Sequence, residues 1–134
     1  CARNLHPTIR ESHAFRFDTA GRSFVFSCDT TYSQAVVGLA RGADVLVHEV
    51  MYPPALDALI ASEPNASTLS EHLLASHSTP EQVGRVATEA GVGTLVLSHF
   101  VPGGPVVADA TWLDAVRPHF DGRIVIAHDL MTLP

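Results

Sequence analysis

The chain of 134 residues contains no lysine, and its eight cationic side chains, all arginines, face 14 acidic ones, for a formal net charge of −6. A nucleic-acid surface needs a concentrated basic stripe to neutralise phosphates, and none is visible here. On charge alone, tRNA is not an expected partner. Cysteine is also scarce, with Cys1 and Cys28 the only two. That is too few for a disulfide framework, so reduced thiols in a cytoplasm are expected. No stretch approaches the roughly 18 consecutive apolar residues of a membrane span, and the opening "CARNLHPTIR" lacks an apolar signal-peptide core. The expectation is a soluble, cytoplasmic protein with no membrane partner. Internal repeats and low-complexity tracts are absent from the sequence too.

What is present suits one domain with a real core, since 46% of the residues are hydrophobic. "HAFRFD" and "RSFVFS" are β-rich runs joined at Thr19, Ala20 and Gly21, which predicts a hairpin. "SQAVVGLARG" places Val36, Val37, Leu39 and Ala40 on one helical side and stops at Gly42. "ADVLVHE" is a continuous apolar strand, ended by the Pro53–Pro54 pair. Two weaker helical patterns follow, around "ALDALIAS" and "SEHLLAS", with the turn-like "EPNAST" between them. The clearest helix begins at Thr79: Thr79 caps, Pro80 takes the first position, Gln82 completes a capping box, and Val83, Val86, Ala87 and Ala90 form a stripe up to Gly91. "GTLVLSH" predicts a strand, "DATWLDAVRPHF" a short helix broken at Pro118, and "GRIVIAHD" a last strand. Apolar strands alternating with helices predict an α/β layered sheet with both faces covered.

Four of these strands end in an acid, a histidine or both: Asp29, the pair His48 and Glu49, His99, and the pair His128 and Asp129. In open α/β sheets, ligands sit beyond the carboxyl ends of the strands. If the strands lie side by side, their polar tips converge into a set that zinc, manganese or iron accepts, or that performs acid–base work. A lone histidine after a strand is more often a loop anchor. Four such tips on one chain shift the balance toward a site.

The segments "FVFSCDT", "GADVLVHEVM", "HSTPEQVGRVATEAGVGTLVLSH" and "RIVIAHDLM" resemble, in this order, the second half of the metallo-β-lactamase fold in its ribonuclease Z and arylsulfatase-like branch. The resemblance covers nearly the whole chain and implies the second half of a four-layer αββα sandwich carrying two divalent metal ions, zinc first, with manganese or iron as alternatives. It assigns Asp29 as the aspartate bridging both metals, His99 as a ligand of the second metal and His6 as a ligand of the first, with His13 a nearby competitor. It assigns His77 as proton donor or transition-state stabiliser, oriented by Glu49 of the His48–Glu49 pair, so that His77, Glu49 and His48 form the expected catalytic group.

Departures from the family pattern shape the rest. The His-x-His-x-Asp-His motif of the first metal is absent, so the chain resembles a C-terminal half whose N-terminal half lies elsewhere. Three ligands, His6, Asp29 and His99, cannot hold two ions tightly, which predicts a homo-oligomer or association with the missing half. Cys28 stands where the branch has glycine, and His128 where relatives often show arginine. His72 and His119 are read as surface residues. Tied to the resemblance, the expected activity is metal-dependent hydrolysis. Only residues 18–22 fill the place of the long arm of tRNA-processing relatives, so a small phosphodiester, sulfate ester or similar small-molecule ester is expected as substrate. The alternatives are a glyoxalase-like or lactonase-like thioester or lactone hydrolase, and a non-catalytic truncated interaction module.

Overall fold

A computed structural model describes residues 1–7, 9–61 and 66–133. The elements follow in the order β1 (Ala2–Arg3), β2 (His13–Asp18), β3 (Ser23–Phe26), α1 (Gln34–Ala40), β4 (Val45–Met51), α2 (Pro53–Ile60), α3 (Ala66–Ser76), α4 (Pro80–Ala90), β5 (Thr94–Val101), α5 (Asp109–Val116), a 3-10 turn (Arg117–His119) and β6 (Arg123–Ile126). The strands form one six-stranded sheet in the order β1-β2-β3-β4-β5-β6. Its first three strands pair antiparallel and the rest parallel. Strand order equals chain order, and every parallel pair is joined through helices, the connection that parallel pairing requires.

Strand parity decides which side chains meet the helices. Ala14, Val25, Leu46, Val50, Leu95, Leu97 and Ile126 join Val36, Val37, Val83, Val86, Ala87, Trp112 and Val116 in one buried cluster, so α1, α4 and α5 cover a single face. The alternate strand residues look the other way. Val45, Val96 and Val125 form a second cluster with Phe24, Val47 and Leu133 against it. On the same face Phe15, Phe17 and Phe26 stay 44%, 55% and 41% exposed. The sequence predicted cover on both faces, and the described residues supply it on one. The double-sided apolar pattern of β4 and β5 demands a second layer that these residues do not contain.

Helix α4 forms as its sequence predicts. The Thr79 side chain accepts from the Gln82 N–H while the Gln82 side chain accepts from the Thr79 N–H, and Gly91, at φ +66, ends the helix in the left-handed region. A Cβ at Gly84 would lie 2.5 Å from the His119 Cβ, so only glycine allows this approach of the 3-10 turn. His119 is therefore half-buried and Thr88 Oγ1 donates to its carbonyl at 2.7 Å, unlike the surface residue expected. Of the predicted "EPNAST" turn, Ala66, Ser67 and Thr68 already belong to α3, and residues 62–65 lie outside the described residues. No described helix is long and apolar enough to cross a membrane.

Because the capping box starts α4 two residues after His77, its removal is a clean test of this packing. Thr79→Ala should lower stability by about 1 kcal/mol, read as a lower urea midpoint with an unchanged m-value. No change in midpoint would show that the cap contributes nothing.

Candidate metal centre

Beyond β3 the chain turns into the loop of residues 27–30, and the loop backbone is held from three sides. Asn4 Nδ2 donates to the carbonyls of Ser27 at 2.6 Å and Asp29 at 3.3 Å, Ser12 Oγ donates to the Asp29 carbonyl at 3.0 Å, and Ser78 Oγ donates to the Thr30 carbonyl at 2.7 Å. With the backbone so engaged, the Asp29 carboxylate is left to face outward. Cys28 adopts φ +50, a left-handed conformation that glycine takes without strain.

His99 reaches the same place by a different device. The β4–β5 ladder steps from Glu49 opposite Ser98 to Val50 opposite Phe100, so His99 is one extra residue in β5. Its φ of +44 marks it as a bulge residue, turned out of the ladder. The bulge also explains why β5 continues past His99 to Val101 when the sequence predicted its end. His99 Nε2 then stands 3.5 Å from Asp29 Oδ1.

The third member is His77, between α3 and α4. Its Nδ1 donates to Glu49 Oε2 at 3.0 Å, and the Ser78 N–H donates to Glu49 Oε1 at 2.7 Å. Glu49 is 1% exposed, so both of its oxygens need these donors. The hydrogen bond to Glu49 raises the His77 pKa, with the charges of Glu49 and Asp29 adding to it and burial opposing. With Nδ1 committed, Nε2 is the nitrogen free for chemistry. The His77 and His99 rings stack with centroids 5.7 Å apart and planes 20° apart.

Asp29, His77 and His99 each offer one ligand atom, all within 4.8 Å of one another. One carboxylate oxygen and two imidazole nitrogens are a donor set that zinc accepts. A carboxylate behind an imidazole, as Glu49 stands behind His77, is a common support for a metal-bound histidine. The residues present therefore fit a divalent cation.

The other expected site residues lie elsewhere. His6 is outside this group: its Nδ1 accepts from the Ile9 N–H at 3.2 Å and its ring meets His72 edge-on at 6.3 Å. His48 is 0% exposed and shares the helix-covered side of β4 with Leu46 and Val50, while Glu49 points to the opposite side. Its Nδ1 donates to the Glu49 carbonyl at 2.7 Å, its Nε2 is buried with no hydrogen-bond partner among the described residues, and burial lowers its pKa. A residue so placed cannot touch a substrate and can act only by positioning its neighbour. His13 pairs with Glu11 at 3.8 Å, and His128 with Asp109 at 3.1 Å. Asn4, Ser12 and Ser78, which hold the Asp29 loop, were not found by sequence reasoning. Of these, only Ser78 carries a signal there, inside "HST".

Residues 2–100 match a family model described as the Beta-lactamase superfamily domain. The chain is 30% identical over 125 residues to ribonuclease Z of Mycobacterium tuberculosis (strain H37Rv), covering 93% of this chain and 44% of that protein. It is 38% identical over 113 residues to ribonuclease Z of Salinispora arenicola, covering 84% and 32%. Among solved structures, the metallo-beta-lactamase fold protein YhfI of Bacillus subtilis is similar at a TM-score of 0.68 and 22% identity, over 93% of this chain and 44% of that one. Human tRNase Z, short form, is similar at 0.53 and 20%, over 90% and 36%. At such identities the structural likeness shows the fold alone, the mixed α/β metallo-β-lactamase architecture expected from sequence. The chain spans less than half the length of each of these relatives.

These relatives overturn one expectation. A small-molecule ester was expected and tRNA was not, yet the similar proteins are ribonuclease Z and tRNase Z. The acidic balance and the short turn at residues 18–22 describe only this stretch, under half of a relative's length, and the phosphate-binding surface of a longer protein does not show in its composition.

The two oppositely shifted histidines make a sign-specific prediction. His48 is held neutral, so below the ordinary value of 6.5 the unfolded chain binds a proton that the folded one refuses, and stability falls as pH drops toward the depressed folded value. His77, with its raised pKa, contributes stability that is present below 6.5 and lost as pH rises through the folded value. In His48→Leu, stability should therefore rise less steeply with pH below 6.5 than in the wild type, measured by urea unfolding in a chelator across a pH series. Superimposable profiles would contradict the buried neutral imidazole.

Proposed function

The chain belongs to the beta-lactamase superfamily, and from that premise we propose that it forms the metal-binding part of a hydrolase that cleaves RNA phosphodiester bonds. The observation that carries this reading is the Asp29–His77–His99 group, backed by buried Glu49, in a chain similar to ribonuclease Z. Asp29 and His99 would hold a divalent ion, zinc by donor chemistry. Such an ion supplies a nucleophilic water at neutral pH and draws charge from the scissile phosphate.

This chain's own residues account for the remaining roles. Glu49 keeps the His77 proton on Nδ1 and fixes the ring, so that a second proton, carried on Nε2, is available to the departing oxygen. The raised pKa of His77 favours the doubly protonated form that this donation needs. The stack on His99 keeps His77 beside the ion-binding atoms. A second reading, His77 as a third ligand, is favoured by the common 4.8 Å spacing of the three donors.

Two ions need more ligands than these three, so the second site draws on residues outside this chain. The exposed face of Phe15, Phe17 and Phe26 is the surface on which the remaining half of the domain would pack. The 134-residue chain by itself is accordingly a weak metal binder and a poor catalyst.

In the intact protein, Asp29→Ala should lose metal, and activity with it. His77→Ala should keep near-normal metal content while kcat on an RNA phosphodiester falls by a factor on the order of 10²–10⁴. Glu49→Ala should show the same pattern more mildly. Metal stoichiometry and rate are measured side by side. Loss of metal in His77→Ala would make it a ligand, and absence of RNA cleavage by the metal-loaded intact protein would end the functional reading.

A further inference from the structure

His99 borders more than the metal centre. It also forms one wall of a cleft of about 300 Å³ between the end of β5 and the end of β6, whose other wall carries His128. The cleft opens into a groove of about 450 Å³ that runs past Phe100 and Trp112 to Asp109 at the start of α5. A group bound at Asp29 and His99 thus has an adjoining space for whatever is attached to it.

The chemistry of that space is selective. His128 Nε2 is 3.1 Å from Asp109 Oδ2. In the neutral imidazole a carboxylate at this distance takes the proton on Nε2, which makes Nδ1 a lone-pair acceptor, and Nδ1 has no hydrogen-bond partner among the described residues. The backbone here is fixed as well, since the Ala127 N–H donates to Leu97 and the Met131 N–H to His128 itself. No arginine lines either space, whereas Asp109 and Asp129 do. A phosphate would meet two carboxylates and a lone pair. An uncharged group bearing a hydroxyl would meet an acceptor and an apolar wall.

Resting on the RNA-hydrolase reading above, we infer that His128, held by Asp109, accepts a hydrogen bond from the ribose 2′-hydroxyl of the nucleotide beside the scissile phosphate. The 2′-hydroxyl is the feature by which a protein tells RNA from DNA at a given position. A deoxyribose there leaves the Nδ1 acceptor unpaired, which is the situation in which a polar site discriminates against an analogue lacking its partner. His128 is then a specificity residue and Asp109 its positioning residue.

The test measures binding to the metal-loaded intact protein, with turnover blocked by a non-hydrolysable linkage at the scissile position of each probe. The probes are a short oligoribonucleotide and the same oligomer with one 2′-deoxy substitution at the scissile position, followed by fluorescence anisotropy. The wild type should bind the ribo form about tenfold more tightly, the worth of one hydrogen bond. His128→Phe should erase the preference by weakening the ribo form alone, and Asp109→Ala should reduce it. Because His128 and Asp109 are both exposed, the variants should fold normally. Equal binding of the two oligomers by the wild type, or equal weakening of both in His128→Phe, overturns the inference, and if RNA cleavage persists the functional reading survives. Failure to bind either oligomer, together with no cleavage by the metal-loaded protein, removes both.

Discussion

The site rests on one buried carboxylate. Glu49 is almost completely removed from water, and an ionised carboxylate in that position survives only if both oxygens are met by donors. His77 meets one and the Ser78 backbone the other, so the charge that would destabilise the sheet instead fixes the chain between α3 and α4. From that fixed point the rest follows in short steps. Ser78 reaches across to the Thr30 carbonyl and holds the loop that carries Asp29. Thr79 caps α4, whose apolar stripe closes one face of the sheet. His77 is aimed at Asp29 and His99 by the same bond that satisfies Glu49.

Much of the fold was legible in the sequence because its signals are local. The capping box at Thr79, the stop at Gly91 and the apolar runs of β4 and β5 are decided within a few residues, and the structure reproduces each. Asp29 lies just beyond the end of β3 as its strand pattern predicted, whereas His99 sits within β5 and not at its tip. What was illegible depends on parity or on distant partners. His48 and Glu49 are adjacent in sequence and read as one rim pair, yet alternation sends them to opposite faces, one to the helical core and one to the site. The bulge at His99 depends on the register between β4 and β5, which no single strand encodes. Asn4 supports the Asp29 loop across 25 residues of chain and has no motif of its own. Net charge argued against tRNA, whereas the similar proteins are ribonuclease Z and tRNase Z; charge reports a stretch that spans under half of such a relative.

The two faces of the sheet differ in a way that links fold to function. One is sealed by α1, α4 and α5, and the other carries a band of phenylalanine and valine that remains partly open. Glu49 points to the open side, so the site lies where a second layer would close over it. That places the Asp29–His77–His99 group at a seam, and in the proposed function this chain would supply the acid–base pair and part of the ligand set. The cleft toward His128 and Asp109 continues the same edge and gives the site a second chemical character, acidic and apolar, next to the candidate ligand group.

The account's central claim is that Asp29 and His99 bind the ion while Glu49 holds His77 beside it. The most direct measurement is a crystal structure of the intact protein grown with zinc, with the metal located by anomalous scattering. The account predicts zinc at about 2.0–2.2 Å from Asp29 and His99, with the Glu49–His77 hydrogen bond intact. Zinc bound away from these two residues, or bound to them with Glu49 turned away from His77, would contradict it.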